Sequence, residues 1–221
     1  SRLKQLSCPQ VSQRDISALF LTGYISGYFG ARLLSIFVEE FQTNGFFEAV
    51  SALFRLGPMT MYGGFLGGTI GCLIFALYKK LPIMKLADIS IPAFLFAIGI
   101  GRIGCFLNGD DYGIPVNFES VVPWWAVTFP NHPNPVPRVP VQLIESFFCF
   151  LLFFIGRVFL DRLRKLTFPG GVALLLVGAY AIFRFFIEYY RGDPRGWVIT
   201  DSVSTSQFIS VIILITLSII F

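Results

Sequence analysis

Arg32, Arg102 and Arg184 each interrupt a long apolar run, and each stands six residues before the end of that run, at Val38, Asn108 and Tyr190. On helices rising ~1.5 Å per residue, all three guanidinium-bearing positions lie about 9 Å inside the helix end. A charge within hydrocarbon costs at least ~2.5 kcal/mol, so such arginines normally face a polar cavity or an ionic partner. A single arginine near a helix end can instead lift its head to the interface; three at one depth favour a cavity. In "GAYAIFRFFIEYYRGDPRG", Tyr180, Arg184, Glu188 and Arg191 are spaced 4, 4 and 3, which at ~100° per residue gathers them within an arc of about 80°. Arg184 and Glu188 also form an i, i+4 pair that could neutralise itself and do nothing more. Against that, the face carries two cations for one anion, and Arg102 and Arg32 add more.

Surplus guanidinium in an outward-opening cavity at headgroup depth suits the phosphate of an anionic phospholipid. The planar fork binds phosphate oxygens bidentately, and a fixed positive field stabilises charge developing on a departing phosphate. Asn108, Gln142 and Tyr180 have the groups to bind headgroup hydroxyls. Glu145 and Glu188 can orient arginines or move a proton. His132 is the single histidine and sits in a proline-rich loop, so no metal site is expected.

Elements able to hold these residues follow from composition. The chain has 221 residues, 55% of them hydrophobic, with 26 Phe and a mean hydropathy of +0.72. That is more apolar surface than a soluble domain of this length can hide. Six spans of membrane-crossing length can be drawn: Ile16 to Val38, Met59 to Tyr78, Asp88 to Asn108, Leu143 to Leu160, Phe168 to Tyr190 and Thr205 to Phe221. The expected fold is an all-α integral membrane protein, a polytopic helical bundle forming one domain over residues 1–221. The net charge of +4 resides in short basic clusters between spans, which excludes a nucleic-acid reading and marks cytoplasmic loops. Arg2, Lys4 and Arg14, then Lys79, Lys80 and Lys85, then Arg162, Arg164 and Lys165 alternate with acidic loops. The loops holding Glu39, Glu40, Glu48, Asp110, Asp111, Glu119, Asp193 and Asp201 therefore face outward.

The longest outer loop, 109–142, is expected to form an irregular cap, because its prolines exclude a long helix and Trp124, Trp125 and Phe129 suit a membrane interface. Glycines in "YGGFLGGTIG", Tyr62 to Gly71, read as close helix packing. Cys8, Cys72, Cys105 and Cys149 form no C-x-x-C pair and imply no redox compartment. The opening "SRLKQLSC" has no apolar core of a signal peptide, and both ends read as interior to a longer chain.

"GRIGCFLNGDDYG", Gly101 to Gly113, resembles G-R-x-x-N-F-x-N-x-E-x-x-G, the signature of the prolipoprotein diacylglyceryl transferase family. "GYFGARL", "MYGGFLGG", "GIPV…PWWAVTFP", "PVQLIES" and "YAIFRFFIEYYRGD…SQFIS" resemble further elements of that family, in order. The resemblance implies seven spans, no metal or cofactor, and a site at the outer face of the bacterial inner membrane. It implies transfer of the diacylglyceryl group of phosphatidylglycerol to the thiol of a lipobox cysteine in a prolipoprotein, by a protein expected to be monomeric. By position, Arg102 and Arg184 would bind the phosphate, with Asn108, Asp110, Gly113, Tyr180 and Glu188 completing the site. Tyr62 stands where many members carry the histidine proposed as base.

Departures from the pattern matter too. Cys105 replaces the signature Asn, Asp110 its Glu, and Val139 and Ile144 the His and Tyr of the element seen here as "PVQLIES". The first family span, with its tyrosine, has no counterpart before Ile16, as expected of a truncated chain. Losing the Asn amide removes two donors and an acceptor. A divergent transferase with another donor or acceptor lipid, an impaired one, and a non-catalytic phospholipid-binding protein on the same fold are the alternatives. Cys105, one helical turn from Arg102, could serve covalently; a small apolar residue packed in a glycine-rich helix is the plainer reading.

Overall fold

The computed structural model describes residues 11–36, 60–116, 122–130, 133–158, 162, 168–193, 197–199 and 203–220. Among the described residues the helices are α1 (Gln13–Ser35), α2 (Met61–Tyr78), α3 (Ile83–Asn108), α4 (Val141–Val158), α5 (Gly171–Ile187) and α6 (Thr205–Ile220), each overlapping one of the expected spans. A 3-10 turn, Glu188–Tyr190, continues α5, and a two-stranded antiparallel ribbon, β1 (Trp197–Ile199) with β2 (Val203–Ser204), precedes α6. Three of the segments are long and apolar enough to cross a membrane: Ile83–Asn108, Val141–Val158 and Gly171–Tyr190. Gly63–Tyr78 and Thr205–Ile219 are apolar but shorter, and α1 meets the length but not the composition. Val38, where the first span was expected to end, and His132 lie outside the described residues.

The chain divides into two compact units, Ser1–Ile83 and Met84–Phe221. In the first, α1 begins at a capping box in which Ser12 and Asp15 satisfy each other's backbone N–H. It packs on α2 backbone against backbone. A Cβ added at Gly30 would lie 2.4 Å from the Gly63 carbonyl oxygen, and one at Gly67 would lie 2.4 Å from that of Ser26. The packing role expected of the Tyr62–Gly71 glycines is what these contacts show, since any side chain there would force the helices apart. Arg32 is buried within this unit, 2% exposed.

In the second unit, α3 and α5 run parallel, tied by Asp88. Its carboxylate, 1% exposed, accepts from the backbone N–H of Gly170 and of Ala173, both at 3.0 Å. Gly170 occupies the N-cap of α5 with φ +91°, a conformation that favours glycine, and offers no side chain to cap the helix. Asp88 supplies the missing acceptor, and its negative charge suits a helix N-terminus. Antiparallel α4 fits between them: Ser146 Oγ donates to the Gly99 carbonyl at 2.8 Å, and Gly156 lets Leu176 and Pro92 approach. Stacked Phe148 and Phe183 rings, 4.0 Å apart, join α4 to α5.

Past α3 the chain stays ordered without regular structure. Gly109 (φ +80°) turns it out of the helix, and the strap 110–116 then lies between two segments. Ile114 N donates to Tyr190 O and Gly192 N to Tyr112 O, both at 2.9 Å, while Val139 N donates to Ile114 O at 3.1 Å. A Cβ at Gly113 would sit 2.2 Å from the Val139 carbonyl oxygen, so only glycine passes this crossing. Trp124 is exposed, as an interfacial ring would be, but Phe129 is buried against Phe106. Its contacts are those of a core residue rather than an interface anchor.

Candidate active site

Arg102 is one and a half turns before the end of α3 and 9% exposed. Its Nε pairs with Glu145 Oε2 at 3.0 Å, and its Nη1 donates to Asp111 Oδ2. Glu145, at the start of α4 and 3% exposed, is the hub. Its Oε1 accepts from the Tyr180 hydroxyl at 2.7 Å, and its Oε2 also lies 3.9 Å from Arg184 Nη1. Arg184 Nη2 reaches Glu188 Oε2 at 2.9 Å and donates to Ser206 Oγ on α6 at 3.0 Å. Arg102 and Arg184 thus converge on one carboxylate, although α3 and α5 place them on separate helices.

Arg191 leaves the helical path expected for it. The 3-10 turn ends at Tyr190 and Arg191 is extended, with φ −80° and ψ +138°. Its guanidinium nevertheless joins the cluster, donating to Asp111 Oδ1 at 2.5 Å and bidentately to Asp193 at 2.9 and 2.6 Å. The excess of cations counted along one helix face is therefore met by acids from other elements: Asp111, Glu145 and Asp193 pair with the arginines alongside Glu188.

What remains open is hydrogen-bonding capacity rather than net charge. Among the described residues, the buried atoms Arg184 Nη1, Gln142 Oε1 and Arg138 Nε have no hydrogen-bond partner. Unmatched buried polar groups cost roughly 1–3 kcal/mol each, and their clustering around one end of the bundle suits a polar ligand.

The other expected residues divide. Gln142 is 1% exposed and donates through Nε2 to the Asp110 carbonyl at 2.7 Å, fixing the turn out of α3. Gly113 lies at the strap crossing. Asn108 Nδ2 donates to Asp110 Oδ2, and both residues are exposed beside the cluster. Cys105 is half-buried, with its thiol near both Arg102 and Asp111, so a carboxylate opposes the guanidinium expected to activate it. Arg32 and Tyr62 belong to the first unit, and the Tyr62 side chain lies outside what is described.

Residues unassigned by sequence also stand here. Asp111, read only as an outer-loop charge, bridges Arg102 and Arg191. Burial opposes its ionisation, but Arg191 and Arg102 outweigh that and hold its carboxyl below the usual range. Burial likewise works against the charge on Arg191, and the Asp193 hydrogen bonds with the Asp111 charge hold its proton more firmly than usual. Arg138, 5% exposed, donates to the Gly113 carbonyl at 3.2 Å and lies over the Tyr112 ring, 4.6 Å from its centroid. The doubled acid in "GDDYG" was the available signal for Asp111; nothing in the sequence pointed to Arg138.

Fold and site together define a helical membrane protein with a buried arginine–carboxylate network gathered at one end of its bundle. Residues 2–221 match the family model described as prolipoprotein diacylglyceryl transferase, and the chain belongs to that family of transferases. It is 35% identical over 205 residues to the phosphatidylglycerol–prolipoprotein diacylglyceryl transferase of Clostridium tetani, covering 92% of this chain and 78% of that protein. It is 36% identical over 196 residues to the second such transferase of Clostridium perfringens, with 86% and 72% covered. With the Haemophilus influenzae protein of the same name it shares 33% over 180 residues, 80% of this chain and 63% of that one.

Proposed function

We propose that this chain transfers the diacylglyceryl group of phosphatidylglycerol to the thiol of a lipobox cysteine in a prolipoprotein. The relatives are named for that donor and acceptor. The observation that carries the reading to these residues is the convergence of Arg102 and Arg184 on Glu145 with Arg184 Nη1 still lacking a hydrogen bond. Glu145 and Glu188 hold the forks in place, and the unused N–H groups receive the lipid phosphate. Gln142 Oε1, the open acceptor, takes a headgroup hydroxyl.

In the reaction the acceptor's S–H proton passes to a base, and the sulfur attacks the glyceryl carbon bearing the phosphate. A C–S bond forms as the C–O bond breaks, and glycerol phosphate leaves with the bonding electrons. The guanidinium groups stabilise the charge gathering on that leaving phosphate, the step where preorganised donors act most strongly. The buried glutamates are the candidates for the base, with Asp110, Asn108 and Gly113 shaping the rim. Tyr180, bonded to Glu145, completes the polar lining. The helical segments span the bacterial inner membrane, with the Arg102 end and the 109–142 cap facing outward and the protein acting as a monomer.

The test is incubation of purified protein with labelled phosphatidylglycerol and a lipobox peptide. Labelled thioether peptide and released glycerol phosphate are expected in equal amounts. Intact lipid binding without either product would leave a non-catalytic phospholipid-binding protein in place of the enzyme.

A further inference from the structure

We infer that Asp111 is the positioning residue that sets Arg102 and Arg191 side by side for the phosphate of an anionic lipid, an inference that rests on the phosphate-binding reading above. The signature places its acid at residue 110, yet Asp110 is exposed and its carboxylate is spent on Asn108. The next residue does the bridging: Asp111 Oδ2 takes Arg102 Nη1, and Oδ1 takes Arg191 Nη2 at 2.5 Å. One carboxylate therefore fixes two guanidinium groups from separate elements, the end of α3 and the segment after α5.

The backbone is arranged for this. Asp111 has φ +55°, a left-handed conformation uncommon for any residue but glycine and best tolerated by Asn and Asp. The flanking bonds hold it there: Gln142 Nε2 grips the carbonyl of Asp110, and Gly192 N and Ile114 N pin the strap on either side of Tyr112 to Gly113. A left-handed residue between fixed neighbours aims its side chain in one direction, here into the gap between the arginines. Its side chain is 32% exposed, against 4% for Glu145, so the bridge faces the side from which a ligand can arrive. The lowered pKa keeps the carboxylate charged at neutral pH, as the bridge requires.

The experiment compares the wild type with Asp111→Asn and Asp111→Glu, each confirmed folded by size exclusion. The readouts are the Kd for phosphatidylglycerol in detergent micelles and the transfer KM for the lipid and for a lipobox peptide. Loss of one charge-assisted bridge predicts that Asp111→Asn raises the lipid Kd and KM about tenfold. The peptide KM holds, and Asp111→Glu recovers most of the loss. Asp110→Asn weakens lipid binding less than Asp111→Asn. A lipid Kd within about twofold of wild type, or lipid and peptide KM rising together, overturns the inference. If the wild type binds the lipid without transferring it, the Kd comparison alone decides the inference while the transferase reading fails by itself. If it neither binds nor transfers, both fall.

Discussion

The two ends of the α3–α5 pair handle buried carboxylates in opposite ways. At one end Asp88 meets the backbone N–H groups of Gly170 and Ala173 at 3.0 Å and joins two helices. At the other, Glu145, Glu188 and Asp111 pair with arginines, and Arg184 Nη1 is buried without a hydrogen bond. The first arrangement uses an acid to close a helix end. The second, on the proposed function, uses acids to position cations for the lipid phosphate. A buried polar group that answers a backbone vacancy marks structure, whereas a network left short of partners marks a site.

Substitutions can break that contrast. The largest effect is expected from Arg184→Gln, which removes a phosphate donor and should lower transfer to the lipobox peptide by about 10²–10³, measured as labelled thioether formed by folded protein. Glu145→Gln follows: breaking a buried pair that serves both Arg102 and Arg184 should destabilise the protein by about 3 kcal/mol, visible in detergent melting curves. Asp88→Ala removes a helix cap and should lower stability by about 1–2 kcal/mol, yet leave the lipid KM near wild type. A lipid KM that rises with Asp88→Ala would erase the distinction between the two ends.

Acidity offers a finer probe. The folded-state pKa of Asp111 lies below its unfolded value, so its contribution is fully present above the ordinary Asp range, near ~3.9, and is lost as pH falls through the lower folded value. Asp111→Asn should therefore lower the melting temperature at neutral pH and narrow to no difference in strong acid. The smallest effect is expected from Cys105→Ser: transfer should stay within about fivefold of wild type, since a lost thiol contact removes only a weak hydrogen bond. Abolished transfer would instead reveal a covalent intermediate.

Helix placement was legible in the sequence because hydrophobic length and glycine spacing are local properties. The boundaries of α3 at Asn108 and of α6 at Thr205 fall where the apolar runs suggested. The choice between Asp110 and Asp111 was not legible, because it depends on a left-handed backbone at residue 111 and on anchors from Gln142 and Gly192. The charge count also misled when taken along a single helix face: Glu145 and Asp111 come from other elements, which periodicity cannot bring together. Arg191 reached the cluster by leaving the helix at Tyr190, a turn its 4-4-3 spacing hid.

The central claim is that the Arg102–Glu145–Arg184 network binds a lipid phosphate. Its most direct test is equilibrium binding of labelled phosphatidylglycerol to the folded wild type and to the folded Arg102→Gln, Arg184→Gln double variant. Loss of two charge-assisted contacts predicts a Kd raised at least about 100-fold, whereas retention of wild-type affinity by the double variant would contradict the account.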